Sequence, residues 1–498
     1  MSETLSALQT ALAPKTGLHP VSLASESYEL ISTGSSEQLL NFFAEKLPPG
    51  GRSPFILKPT PGLTLFDTLG TGPILALEAL TSPVAGSHQR TGQYWAISGN
   101  HAYNRREDLG GAFDLGFIGT PAAGIKPADY NGVSIAVGLG HVLFCVPPEV
   151  FVLDKISLGM TQLIPGVNNY PAIGASSVAY MDGYYVFCSF TGEQVFVSNL
   201  LDPTHFTALA FAQISAYADY VDFLFVHNSQ LWMFGQNAAQ PWYDTGDPTF
   251  PFAPMPGTQV PYGLGSPRSI VEVDNSMIFL SNDGCVYQIR GGGAVKISSP
   301  ALEEQLSRYN GGYLRAIKAC GFSYEGHKFY SLSLPVAGVS FVYDCDTKLW
   351  HQRSTDGGVW LVNTATHLDA RVICGDRTNG NLYHMDSSNP LENGVAMARR
   401  AALPALVGHG PRTFMNRLEI EMSVGVDGGS ISVDWSDDGG ETYRTPARVL
   451  STGAPGATRT RVATTRLGSF YTRNLRLQTA AGNPTIYGVD CDIPPRAA

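Results

Sequence analysis

Charge is scarce in this sequence: Asp, Glu, Lys and Arg make up 15% of its 498 residues, and acidic side chains outnumber basic ones 42 to 32, for a formal net charge of −10. Non-specific adhesion to nucleic acid or anionic lipid needs clustered Lys and Arg, so the balance argues against it. The only basic grouping is dispersed, Arg459, Arg461, Arg466, Arg473 and Arg476 near the C-terminus. Long apolar runs are lacking as well. None approaches the twenty or so residues that span a bilayer, and MSETLSALQTALAPK has no basic leader ahead of an apolar core, which implies a chain first held in a cytoplasm. The seven cysteines (Cys145, Cys188, Cys285, Cys320, Cys345, Cys374 and Cys491) show no CxxC spacing and are odd in number, so they read as small core fillers.

Chemical signatures are missing too. There is no GxxxxGK[ST], no GxGxxG opening a helix, no GxSxG, and none of the eleven histidines stands in HExxH. No cofactor and no metal are expected. Asp344-Cys345-Asp346 is the nearest thing to a cation loop, but it lacks further oxygen ligands and reads as a tight turn.

What is abundant is Gly (54) and Pro (33), and with them a recurring hairpin. Apolar runs flank tight polar turns centred on Asn100, Gly140, Gly183, Ser229, Ser276, Gly326 and Asp369, 40 to 50 residues apart. Runs such as SSVAYMDGYYVFCS and DFLFVHNSQLWMFG alternate as half-buried strands do. A sheet of that size cannot bury its faces alone, and radial stacking of such units makes a β-propeller. Seven units bound the number of blades at six or seven, since the first and last could share one. Closing the ring with strands from both ends would hide two sheet edges.

Three regions are therefore expected. Residues 1–71 form an N-terminal arm with short helices, one carrying Leu5, Leu8 and Leu12 and another capped by Ser36 and carrying Leu39, Leu40 and Phe43, followed by the extended KLPPGGRSPFILKPTPGL. Residues 72–400 form the propeller, with one helical insert, SSPALEEQLSRY, that starts at Pro300. Residues 411–498, five or so alternating strands, form a C-terminal β-sandwich.

The sharpest local motif lies in that last block. Ser436, Asp438, Gly440, Thr442 and Tyr443 match the Asp-box pattern S-x-D-x-G-x-T-[WY], in which side chains bond turn backbone and fix a hairpin. Sialidases repeat this box around a propeller and add an arginine cluster, whereas here it occurs once and outside the repeats, so a structural use is expected. Asp182, Asp222, Asp274 and Asp369 lie in or beside turns, and two of them converging in a central channel would make an acid and base pair; turn chemistry accounts for them equally well. Trp232, Trp242, Tyr243 and Trp350 read as packing between blades, with sugar or partner stacking as the alternative.

Several segments, in order and spacing, resemble the packaged-DNA stabilisation proteins of short-tailed phages, also called tail hub or tail nozzle proteins. They are SPFILKPTPGLTLFDTLGTGP (53–73), VFVSNLLDPTHFTALAFAQ (195–213), LWMFGQNAAQPWYDTGDPTFPFAPMPG (231–257), RSIVEVDNSMIFLSNDGCVYQI (268–289), and NRLEIEMSVG with ISVDWSDDGGETY (416–443). The resemblance implies a non-enzymatic virion component. It implies a homo-hexameric ring below the portal and adaptor that extends the channel for double-stranded DNA without binding it specifically. It also implies sites for a tail needle or plug and for tail fibres or spikes. The first twenty or so residues depart from the pattern. The competing class is a propeller glycosidase or polysaccharide lyase acting on host surface glycan, which would need convergent carboxylates in one pocket.

Overall fold

The computed structural model describes residues 18–24, 38–48, 53–83, 90–106, 110–119, 133–212, 219–309, 312–407, 412–425, 428–480 and 482–492. The candidate helix at Leu5, Leu8 and Leu12 lies outside them. The chain is mainly β, 58% strand and 4% helix, with a propeller-like repeat of four-stranded sheets. It divides into two compact units, and neither is contiguous in sequence: one comprises residues 63–346 and 358–385, the other 1–62, 347–357 and 386–498.

In the first unit, antiparallel meanders follow one another along the chain. Sheet 1 runs through Ile74–Pro83, Arg90–Ser98, His101–Arg106 and Ala112–Phe117; sheet 2 begins at Ser134–Val137, sheet 3 at Ala175–Met181, sheet 4 at Val221–His227 and sheet 5 at Val271–Val273, each with four strands in sequence order. Sheet 6 contributes Lys318–Tyr324, His327–Leu334 and Val339–Asp344, and sheet 7 Val362–Leu368, Arg371–Asp376 and Asn381–Asp386. The turns that announce this repeat have a common cause. Asp182-Gly183, Asn228-Ser229, Asp274-Asn275 and Glu325-Gly326 each place two successive residues at positive φ, the backbone of a two-residue type I′ hairpin whose twist matches that of its strands. Six of the seven sequence-derived turn centres stand at or beside the link between a sheet's first and second strands, while Asn100 marks the next turn of sheet 1.

Consecutive sheets bury their faces against each other. Trp95 and Ile97 of sheet 1 meet Phe144 and Leu153 of sheet 2, and the stacked pair Phe187 and Phe196 of sheet 3 joins Leu143 and Val152 of sheet 2. Trp232 and Phe234 of sheet 4 meet Met277 and Phe279 of sheet 5. Gly321 of sheet 6 has no room for a side chain, because a Cβ there would lie 2.6 Å from Val273 of sheet 5. The series also returns on itself, for Ile74, Leu77 and Tyr94 of sheet 1 pack with Leu368, Ile373 and Leu382 of sheet 7.

The fourth strand of sheet 7 comes from the other end of the repeat. Gly62–Thr68 lies beside Asn381–Asp386, the Leu69 amide donates to Gly380 O at 2.6 Å, and Thr68 Oγ1 donates to Asn381 Oδ1 at 3.0 Å. The last edge is thus paired instead of left open. The helical insert forms at Pro300–Ser307, with Ser299 as N-cap accepting from Leu302 N and Pro300 in the first turn.

The second unit holds two sheets. One orders Phe42–Lys46, Phe55–Pro59, Ile486–Asp492, Thr413–Met422 and Thr460–Phe470, with Leu18–Val21 also on Ile486–Asp492. In the other, Gln38–Leu40 pairs antiparallel with Arg399–Ala402, which continues to Thr472–Thr479, Ser430–Ser436 and Arg448–Ser451. This corrects the helix expected at Leu39, Leu40 and Phe43. Asn41 sits at φ 55° and separates two strands, its amide donating to Gln352 O at 2.9 Å and its Nδ2 to Ala398 O at 2.8 Å. Leu40 is matched to Gln352 on one side and Arg400 on the other, and this two-sided pairing overrides the helical spacing of a short apolar run. The division also departs from the expected boundaries at 71 and 411: arm strands and the insert at 347–357 complete the C-terminal sheets.

Candidate functional site

The first strands of all seven sheets line one cavity of about 660 Å³. The lining is mostly small or apolar, Ala76, Ala79, Val137 and Phe225 among them. Three charged side chains, Arg268, Glu78 and Glu272, depart from that pattern. Arg268, in the link leading to sheet 5, reaches to sheets 1 and 2, where its Nη1 donates to Val133 O at 3.1 Å and its Nη2 to Leu75 O. Glu78 stands on the leading strand of sheet 1 and meets the water of the cavity. Its side chain is exposed there, so the desolvation by neighbouring strands that pushes its pKa up, with Arg268 pulling it back, is tempered by that water. Burial likewise lowers Arg268 to about 10, opposed by Glu78. Among the described residues, Glu78 has no hydrogen-bond or ion-pair partner, so Arg268 acts on it through space. Glu272 also lines the cavity, its carboxylate 3.3 Å from His227 Nδ1, an ion pair only when that imidazole is protonated.

Sequence reasoning placed candidate carboxylates elsewhere. Asp182, Asp274 and Asp369 occupy hairpin turns at positive φ, Asp274 pairs with Lys328 and Arg290, and Asp222 pairs with Arg315 at 3.0 Å. None of the four lines the cavity. Glu78 and Glu272 were missed; the available signal was one acid inside the otherwise apolar ILALEALT. Trp232 and Trp242 are buried between sheets, Trp350 is buried in the second unit, and Tyr243 is exposed. Asp344 accepts from the Asp346 amide at 2.9 Å and pairs with His327 Nδ1 at 2.8 Å. His327, Asp344 and Asp346 present donor atoms within 4.8 Å of one another. That is one nitrogen and two carboxylates, fewer than a closed zinc site or a calcium loop supplies.

The Asp-box residues come together in the loop of the hairpin between Ser430–Ser436 and Arg448–Ser451. Ser436 Oγ accepts from Gly440 N at 2.8 Å, and Asp438 accepts from Thr442 N at 3.0 Å and from Thr442 Oγ1. Hydrogen bonds from Ser436 and then Thr442 hold the exposed Asp438 well below the usual carboxylate range. The Tyr443 ring carries the Arg476 guanidinium 3.6 Å above it, and Arg476 Nε donates to Asp434 at 2.8 Å. Beside them the buried Arg473 makes a two-pronged pair with Asp437 at 2.7 and 2.8 Å and lies over Phe470. Four of the five arginines that looked dispersed in sequence thus pair within their own domain, Arg459 and Arg461 with Glu421 and Arg473 and Arg476 as above.

A family model described as Phage_stabilise, Bacteriophage P22 Gp10, beta-propeller, matches residues 36–389. The chain belongs to that family. The match runs from the strand at Gln38–Leu40 through sheet 7. No curated protein sequence matches. Among solved structures, the Neurospora crassa Pan2 WD40 domain is 10% identical with a TM-score of 0.39, covering 64% of this chain and 91% of that one. The extracellular domain of a hybrid two component system from B. thetaiotaomicron is 10% identical with a TM-score of 0.42, covering 74% of this chain, which spans 45% of that structure. Likenesses at this level carry nothing about function.

Proposed function

We propose that this member of the phage stabilisation family is a tail hub, or nozzle, in the virion: a structural and non-enzymatic protein that extends the DNA channel below portal and adaptor, retains the packaged genome and carries distal tail parts. The family match over residues 36–389 supports this reading above all else. In it, the seven sheets are blades of one closed propeller and the two sheets of the second unit are a β-sandwich. The Asp-box serves to fix its hairpin.

The cavity at the leading strands bears on where DNA passes. At about 660 Å³ it matches a pocket for one small molecule, about 300–1,000 Å³, whereas the major groove of a duplex is by itself about 12 Å wide. In this reading genome travels through a ring of several copies, a homo-hexamer, and not through any one propeller. A net charge of −10 suits such a wall, which must let duplex slide without grip. Needle or plug and fibres or spikes complete the list of proposed partners, and the arm is proposed to reach a neighbouring subunit or the adaptor. Native mass spectrometry and electron cryomicroscopy of the tailed particle test all of this. A six-fold ring around a DNA-sized channel is the expected result; a chain that stays monomeric and is missing from particles overturns it.

A further inference from the structure

We propose that Phe414 and Tyr471, on the second unit of one copy, dock on the leucine-bearing turns of sheets 2 and 3 of a neighbouring copy; the contact rests on the reading above, in which copies of this chain assemble. The receiving surface departs from ordinary turn chemistry. Hairpin turns of the next two sheets are polar, Asn228-Ser229 and Asp274-Asn275. In sheets 2 and 3, by contrast, Leu139, Ile156, Leu200 and Leu201 stand in turns at 78, 92, 56 and 53% exposure. Leu201, and Leu158 in the matching link of sheet 2, hold φ at 60° and 57°, where glycine or asparagine would serve a turn better than a bulky side chain. These turns form one surface. The Lys155 amide donates to Gly140 O at 3.0 Å and the Leu201 amide to Gly183 O at 2.8 Å, and Tyr185 Oη joins the two sheets by donating to His141 O at 2.9 Å. Aliphatic groups gathered in water at such positions serve a partner and not the turn.

Charge identifies that partner. Acids outnumber Lys and Arg 25 to 14 in the first unit, against 17 to 18 in the second. Asp154, Asp182 and Asp202 stand beside the leucines, and the exposed Asp182 carboxylate has no partner among the described residues. Lys155 next to them directs its ammonium to Gly138 O at 2.5 Å. The second unit presents the complement. Phe414 and Tyr471 are 58 and 60% exposed. They lie on one stretch of sheet, because Phe414 is matched to Ser469 and Thr413 to Phe470. The Arg412 guanidinium lies 5.6 Å from the centre of the Tyr471 ring, and neither Arg412 nor Arg466 has an ion-pair partner among the described residues. Apolar surface thus meets apolar surface, with free guanidiniums against free carboxylates. Because the two surfaces differ, the contact is heterologous and repeats head to tail.

Sedimentation velocity of the full chain tests this with two surface variants, each checked for a native circular dichroism spectrum. One is Leu139→Lys with Ile156→Lys on the receiving turns; the other is Phe414→Ser with Tyr471→Ser. Each alone should self-associate at least tenfold more weakly than the native chain, while Val295→Lys, at a comparably exposed aliphatic on sheet 5, changes nothing. Mixed, the two variants keep one intact surface apiece and should form dimers that grow no further. Association of either variant equal to that of the native chain, a mixture that stays monomeric, or a native chain that does not self-associate overturns the contact. A ring that still forms in particles carrying these substitutions overturns the contact and leaves the tail-hub reading standing, so the two fail separately. Single-stranded DNA bound by the native chain and lost in Phe414→Ser with Tyr471→Ser, with self-association unchanged, assigns the aromatic patch to nucleic acid and overturns the contact too.

Discussion

Glu392→Ala should be among the most damaging single substitutions in the second unit. Glu392 and Arg353 are each 1% exposed and meet at 2.9 Å, Thr355 Oγ1 donates to the same carboxylate, and Arg353 also donates to Pro61 O at 2.9 Å. Three segments far apart in sequence are joined at this point. Two unit charges about 4 Å apart interact by about 4 kcal/mol at an effective dielectric of about 20, and removing one partner of a buried pair generally costs about 3–5 kcal/mol because the other charge is stranded. The discount for solvent screening that applies to surface pairs does not apply at this burial. We therefore expect a loss of about 3–5 kcal/mol. Urea unfolding followed by the fluorescence of Trp350 and Trp435, both buried in this unit, reads it; with a slope of about 2 kcal/mol per molar, the midpoint falls by roughly 2 M. Replacing both partners with apolar residues, Arg353→Met with Glu392→Leu, removes the stranded charge and should recover most of the loss. A midpoint shift below about 0.5 M for Glu392→Ala, or a double variant as unstable as the sum of the singles, refutes the reasoning.

Gly380→Ala should open the seam at which sheet 7 receives its fourth strand. The new Cβ would lie 1.9 Å from Leu69 O, and we expect a loss of about 1–3 kcal/mol by chemical denaturation, against little change for Gly140→Ala, which has open space. Arg268→Met deprives two carbonyls of their donor and should cost about 1–3 kcal/mol in the same assay. Because the folded-state pKa of Glu78 is raised from 4.5 to about 7, the native state holds its proton more tightly than the unfolded chain, and this group's contribution to stability declines as pH rises through that window. The midpoint temperature of Glu78→Gln should exceed that of the native chain at pH 8 and converge with it near pH 4.5. Asp438 is shifted the other way, so its support for the hairpin is present above the ordinary carboxylate range and lost only as pH falls below it. Asp438→Asn should weaken hydrogen-exchange protection of residues 436–442 at neutral pH, and unchanged protection would contradict the structural role.

Much of this architecture is written locally. The two-residue turns with both residues at positive φ use Asp-Gly, Asn-Ser, Asp-Asn and Glu-Gly, and such dipeptides between alternating apolar strands are visible without any structure. That is why the repeat, its spacing and its propeller class could be read directly, and why the helix at Pro300, which depends on a cap and a proline, could be read too. The Asp-box belongs to the same class, since all of its bonds close within seven residues of chain.

Other features depend on what arrives from elsewhere in the chain. Leu39 and Phe43 carry helical spacing, but strands from near residues 352 and 400 claim Gln38–Leu40 on both sides, and no local pattern announces partners that remote. The cavity carboxylates were illegible for a related reason. Asp182 announces its turn through the Gly183 that follows it, but Glu78, inside ILALEALT, carries no local sign of which face it takes, and only the packing of seven leading strands around one cavity puts it there. Sequence alone determined the repeating unit, because hairpin turns and alternation are short-range steric and solvation effects. The tertiary structure decided which strand from the N-terminal side joins the last sheet, which segments complete the second unit and which acid faces the cavity, because these follow from long-range pairing of edges that no single segment contains.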